Sequence, residues 1–276
     1  MNKSTVRICI DRVIPLRLKA AAAALAQKEN PANGPRGLQM MAGVSAHPLK
    51  MALFTGKRWK PGRTLGIRFL DGTKTQKTKT QQFAKEWLKY ANVGMNFDPG
   101  SQAEIRISFE ADPGSWSAVG TDCLLTDSFP VNEPTMNFGW LRDDTDDKEY
   151  RRVVTHEFGH ALSAIHEHQN PKGGIRWNTE AVYTYFSGPP NNWSKEEIDF
   201  NILQKYSLDQ LNATDFDEES IMLYSFPPEL IEGGKGTPTN TDLSAGDKKF
   251  IDKMYPKAQK IPTRAAPTAR RPGIHH

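Results

Sequence analysis

The stretch His156-Glu157-Phe158-Gly159-His160-Ala161-Leu162-Ser163-Ala164-Ile165-His166 decides how the rest of this 276-residue chain is read. Four residues advance an α-helix by slightly more than one turn, so His156 and His160 project from one side and can hold two corners of a metal ion. A third imidazole six residues after the second cannot reach the same ion while the helix continues. The spacing therefore predicts both a site and a bend soon after His160. Three neutral imidazole nitrogens suit Zn²⁺ at about 2.0–2.1 Å and leave a fourth position open to water, the arrangement of a catalytic zinc. Glu157 can face that water and take its proton. The plainer alternative is a helix with exposed histidines, but three of the chain's seven histidines fall in this window, with a carboxylate where a general base is needed.

A second segment, Ser220-Ile221-Met222-Leu223-Tyr224, carries a Met turn with a Tyr two residues after the Met, and Glu167 directly follows His166. Together with the HExxHxxxxxH spacing, these residues resemble the metzincin clan of zinc endopeptidases and, within it, the astacins. The resemblance runs from about Trp59 to Tyr255. It implies an α+β fold: a twisted, mostly β-sheet N-terminal lobe with two helices, an active-site cleft, and a smaller helix-and-loop C-terminal lobe. It implies one catalytic Zn²⁺ held by His156, His160 and His166, with Tyr224 as a further ligand that swings away to donate a hydrogen bond to the oxyanion. Met222 is then a packing residue beneath the site. Asn137, Phe138, Gly139 and Trp140 are the implied edge strand that pairs with an extended substrate, and Glu167 is the implied contact for the N-terminus of a trimmed chain. The clan has Gly where this chain has Ser163, at a bend where a non-Gly residue is disfavoured by roughly 1–2 kcal/mol.

The function so implied is zinc-dependent hydrolysis of peptide bonds, with Glu157 as general base and a protein or peptide as partner. Two other readings share the motif: a zinc hydrolase of a non-peptide amide, and a catalytically silent, zinc-stabilised binding module. The chain is expected to be monomeric, and secreted or exported, since proteases of this type mostly act outside the cell.

Composition sets outer bounds. At 30.9 kDa and 37% hydrophobic residues, the chain can build one large domain or two lobes with a substantial core. Its net charge of +4 is too small and too scattered to argue for nucleic acid. Two cysteines, Cys9 and Cys123, allow at most one intrachain disulfide. No apolar run is long enough to span a bilayer. Ala20 to Ala26 is too weakly apolar, and too closely preceded by Arg12, Arg17 and Lys19, for a conventional secretory signal.

Residues 1–50 read as an N-terminal extension or pro-segment, 51–257 as the catalytic domain, and 258–276, rich in Pro, Ala and Arg, as a disordered tail. In the first part, Val6 to Ile10 is β-like and Leu16 to Lys28 helical, with Leu16, Ala20, Ala23 and Ala24 on one face. Cys9 or Asp11 could serve as a temporary fourth zinc ligand, or Cys9 could be a buried small hydrophobe.

In the second part, Leu65, Ile67 and Phe69 alternate as a strand, and Lys74, Lys77 and Lys79 read as a solvated loop. Thr80 is expected to cap a helix bearing Phe83, Ala84, Trp87, Leu88 and Ala91, and Ile105, Ile107 and Phe109 to form a second strand. Asp143, Asp144, Asp146 and Asp147 suit the start of the metal-bearing helix, and only weakly a calcium site. His168 is expected at the surface. Capping boxes at Ser194/Glu197 and Ser244/Asp247 start two later helices.

Overall fold

The structure is a computed structural model that describes Cys9, Arg12 and residues 14–34, 56–100, 102–112, 114–189, 191–205 and 215–257. The tail 258–276, Asp11, and the run Val6 to Ile10 apart from Cys9 lie outside the described residues. Helix α1 (Lys19–Glu29) follows a 3-10 turn at Leu16–Leu18. Its buried face is Ala22, Ala23 and Ala26. Of the face expected to hold Leu16, Ala20, Ala23 and Ala24, only Ala23 is buried; Ala20 and Ala24 are exposed and Leu16 is 61% exposed, so the buried stripe is rotated around the helix, with alanines on every side leaving little apolar contrast to orient it.

Five strands follow: β1 (Thr64–Phe69), β2 (Gly94–Asn96), β3 (Ile105–Ser108), β4 (Trp116–Ser117) and β5 (Met136–Asn137). Their order across the sheet is β2-β1-β3-β5-β4, with β4 antiparallel to β5 and the other pairs parallel. Between β1 and β2 lies α2 (Lys74–Ala84), which corrects the reading of Lys74 to Lys79 as a loop. Thr73, not Thr80, caps this helix, in a box with Gln76, and Thr80 is a buried mid-helix residue. The helix is polar on all sides but one, so it has little apolar periodicity to reveal it.

Helix α3 (Asp147–Ala161) carries the metal motif. Asp146 caps it by accepting from the Glu149 N–H at 2.9 Å, and Asp147 pairs with Lys79. Among the described residues, the acids before this helix do not gather into a metal-holding group. Val153, Val154, Phe158 and Leu162 are fully buried beneath the sheet. Two indoles hold the helix from below, Trp87 Nε1 donating to Thr155 O and Trp59 Nε1 to Ala161 O, both at 2.8 Å.

The C-terminal part contains α4 (Thr179–Ser187), the short α5 (Lys195–Ile198) running into a π-turn at Asp199–Leu203, and α6 (Ala245–Met254). Ser194 and Ser244 cap α5 and α6 in boxes with Glu197 and Asp247. Two apolar cores result. One joins the sheet, α2, α3, Met222 and Tyr255; the other joins Val182, Phe186, Ile198, Ile202, Tyr224 and Phe226. Trp140 packs against both, so the cleft lies between them.

Candidate metal centre and peptide cleft

His156, His160 and His166 converge although the last is ten residues from the first. Helix α3 ends at Ala161, and the chain turns at Ser163, whose φ of 73° lies in the left-handed region. The turn is held from outside: Ser163 Oγ donates to Lys57 O at 2.6 Å, and Tyr255 Oη donates to Leu162 O at 3.1 Å.

The ring orientations are fixed by backbone carbonyls. His156 Nδ1 lies 2.8 Å from Ile221 O, and His160 Nδ1 lies 3.0 Å from Ala164 O. A carbonyl oxygen can only accept, so each Nδ1 carries the proton and each Nε2 carries a lone pair. Those Nε2 atoms are 3.2 Å apart, and His160 Nε2 is 2.9 Å from His166 Nε2. Lone pairs at that separation repel one another unless a cation sits between them, which is the donor set zinc takes. Burial, reinforced by the neighbouring imidazoles His160 and His166, holds His156 well below the usual histidine range. Burial and His168 do the same to His166. Neutral rings are the form that ligates metal.

Below the rings, Met222 is buried and supports Gly159: a Cβ on that glycine would lie 2.4 Å from Met222 Sδ and 3.1 Å from Trp87 Cζ2. Asp247 at the start of α6 fixes the turn, accepting from Ser220 Oγ at 2.7 Å and from the Ile221 N–H at 2.8 Å. Tyr224 stands beside His166 Nε2, and its hydroxyl donates to Cys9 O at 2.6 Å.

Two sequence expectations need correction. Met136–Asn137 lies between β3 and β4, so Asn137 to Trp140 is not the sheet edge. The Asn137 amide is consumed by Ser108 and Glu110, and Phe138 is fully buried. Gly139 is pressed against Gly114, while Trp140 Nε1 donates to Glu149 at 2.8 Å. The edge is β4, Trp116–Ser117. Second, His168 is only 2% exposed: its Nε2 donates to Asn201 O, and its ring packs against His166, Trp177, Tyr224 and Phe226. Glu167 in this untrimmed chain accepts from Asn170 Nδ2 and from the Asp217 N–H, and burial raises its carboxyl to about 7.

Cys9 and Cys123 are both buried and are not bonded to each other. Cys9 offers its sulfur within 4.8 Å of ligand atoms of His156 and Glu157, so it stands at the metal face rather than only in a core. Burial, with Glu157 beside it, pushes its thiol well up.

A parallel sheet with one antiparallel edge, laid over a helix that carries two imidazoles and ends in a bend that returns a third to them, defines the metzincin class of zinc endopeptidases. Comparison with protein-family models and with curated proteins finds no match. Among solved structures, one of myroilysin is 42% identical, with a TM-score of 0.71, over 74% of this chain and 97% of that one. A second structure of myroilysin is 43% identical, with a TM-score of 0.57, over 73% and 86%. High choriolytic enzyme 1, a hatching enzyme zinc-protease from Oryzias latipes, is 18% identical, with a TM-score of 0.48, over 72% and 94%. The chain belongs to the astacin family of metzincin zinc metalloproteases, and is a zinc metalloendopeptidase. Among the described residues, no helix is long and apolar enough to cross a membrane.

Proposed function

We propose that His156, His160 and His166 hold a single zinc ion and that the cleft above it hydrolyses peptide bonds with Glu157 as general base. What carries the reading is the commitment of two Nδ1 atoms to carbonyls, which leaves the Nε2 lone pairs aimed at one point. Zinc bound there supplies an acidified water and polarises the scissile carbonyl. Glu157, fully buried beside His156, accepts the proton of the attacking water and returns it to the leaving amine. An extended peptide lies along the outer side of β4, its backbone groups completing the edge. Tyr224 donates to the developing oxyanion. Its bond to the Cys9 carbonyl supports this, because a backbone carbonyl of the N-terminal segment already stands where a substrate carbonyl would stand.

The same segment supports latency. Cys9 packs with the C-terminal core and Ile14 with the N-terminal core, so these two residues lie on opposite sides of the cleft, with the Cys9 sulfur as a fourth donor. Residues 1–50 then act as a pro-segment and 51–257 as the working enzyme.

Incubation with denatured casein tests the reading. Cleavage is expected to stop with a chelator and to fall by about 10⁴-fold in Glu157→Gln, while that variant still binds zinc by elemental analysis. Casein cleavage unaffected by Glu157→Gln would remove the general base from the scheme.

A further inference from the structure

Resting on the reading of the cleft as a peptide cleft, we propose that Trp116 forms a subsite for a cationic side chain and gives the enzyme a preference for arginine about three residues from the residue lying at the metal. The N-terminal segment serves as an internal occupant of the cleft, and its contacts report what the cleft accepts. Cys9 marks one end: its sulfur is within reach of His156 and Glu157, and its carbonyl accepts from Tyr224. Three residues on, the guanidinium of Arg12 lies over the indole of Trp116, 4.3 Å from the ring centroid. Residues three apart in sequence lie at most roughly 10 Å apart, so the contacts of Cys9 and Arg12 put the metal face and the first residue of the edge strand within one short stretch of chain. That is the lane a substrate would follow.

Trp116 is built to receive a planar cation. Its indole is stacked on Phe129, with centroids 6.4 Å apart, which fixes the ring that Arg12 lies over. Tryptophan offers the strongest cation–π face of the three aromatic side chains, and a desolvated guanidinium gains more from it than a hydrated ammonium. Arg12 is itself exposed, so its guanidinium is shared between the ring and solvent. Once the segment leaves, the same face of Trp116 opens to the cleft, beside a strand edge that holds the substrate backbone.

The test uses the full chain carrying Cys9→Ala and Arg12→Ala, which removes the sulfur from the metal face and the internal guanidinium from Trp116, and a labelled peptide series. Arginine is placed in turn two, three or four residues to either side of the cleavage bond and compared with citrulline, which keeps the shape and loses the charge. Binding is read by fluorescence anisotropy with Glu157→Gln added, and turnover as kcat/KM without it. One position is expected to favour arginine roughly fivefold, mainly through KM. The ratio should fall to one in Trp116→Leu and survive in part in Trp116→Phe, which also guards against a variant that fails to fold. No discrimination at any position, or discrimination that persists in Trp116→Leu, overturns the subsite. Discrimination in binding with no turnover of any peptide keeps the subsite and removes the proteolytic reading instead.

Discussion

The two cores that flank the cleft are made of different material. The N-terminal core is regular: Leu65, Ile67, Ile105 and Ile107 alternate from the strands onto α2 and α3, and Trp59 and Trp87 each fill a fully buried place while bonding a helix carbonyl. The C-terminal core is gathered from short helices and loops, with Val182, Phe186 and Ile202 on one side and the rings of Trp177, Tyr224 and Phe226 around His168 on the other. The first holds His156 and His160 on one rigid helix. The second holds the neighbours of His166 and the hydroxyl of Tyr224. The Met turn stitches them together, Met222 entering the first core and Tyr224 the second. Damage to the first core is therefore expected to appear as lost stability, and damage at the rim of the second as lost rate.

The largest expected effect breaks the first core. Trp59→Ala removes a fully buried indole and its bond to the Ala161 carbonyl, and denaturant unfolding should show a loss of about 3–5 kcal/mol. Tyr224→Phe should do the opposite: kcat on a peptide falls roughly a hundredfold, with stability lowered only by about 1 kcal/mol for the lost bond to Cys9 O. If Tyr224→Phe cost as much stability as Trp59→Ala and left kcat alone, the division between the two cores would disappear.

Tyr255 sharpens the contrast through pH. Its ring is fully buried in the first core, and burial raises its hydroxyl to about 12. The folded chain keeps that proton to higher pH than the unfolded chain, whose tyrosine titrates near 10. Stability is therefore full below about pH 10 and is lost as the pH rises toward 12, by about 2 kcal/mol at the end of that window. Unfolding followed across this range should show the slope in the parent and a flatter curve in Tyr255→Phe, from a lower starting stability because the bond to Leu162 O is gone.

These elements were not equally legible in the sequence. The triad, the Met turn and both later capping boxes were, because each is a fixed spacing of chemically demanding residues. The strand β1 was, because it alternates. The helix α2 is read from Thr80 onward, and its first turns are not, because their lysines, threonines and glutamines carry no apolar stripe; Thr73-x-x-Gln76 is the signal that marks its true start. The edge strand was misplaced because β4 and β5 are two residues each, too short for any period, and only pairing distinguishes an edge from an interior strand. His168 looked like a surface residue because its burial depends on Trp177 and Phe226, which the chain brings in from distant positions. The place of Cys9 could not be read from spacing either, since it lies more than a hundred residues from His156 and Glu157, beside which its sulfur stands.

The smallest expected effect concerns Ser163, where one residue carries two opposing terms. Its backbone sits at φ 73°, a strain of roughly 1–2 kcal/mol for a residue with a Cβ. Its hydroxyl offsets that strain with the 2.6 Å bond to Lys57 O, a contribution of about 1 kcal/mol. The surroundings are shaped to this hydroxyl, because a Cβ on the facing Gly120 would lie 2.2 Å from Ser163 Oγ and 2.1 Å from Lys57 O. Ser163→Gly removes the strain and the bond together, so its stability should stay within about 1 kcal/mol of the parent. Ser163→Ala keeps the strain and loses the bond, and should be the less stable of the two by about 1–2 kcal/mol. Melting of the three proteins side by side ranks them. If alanine matched the parent, the hydroxyl would hold nothing, and the bend that brings His166 back to the other two rings would rest on Trp59 and Tyr255 alone.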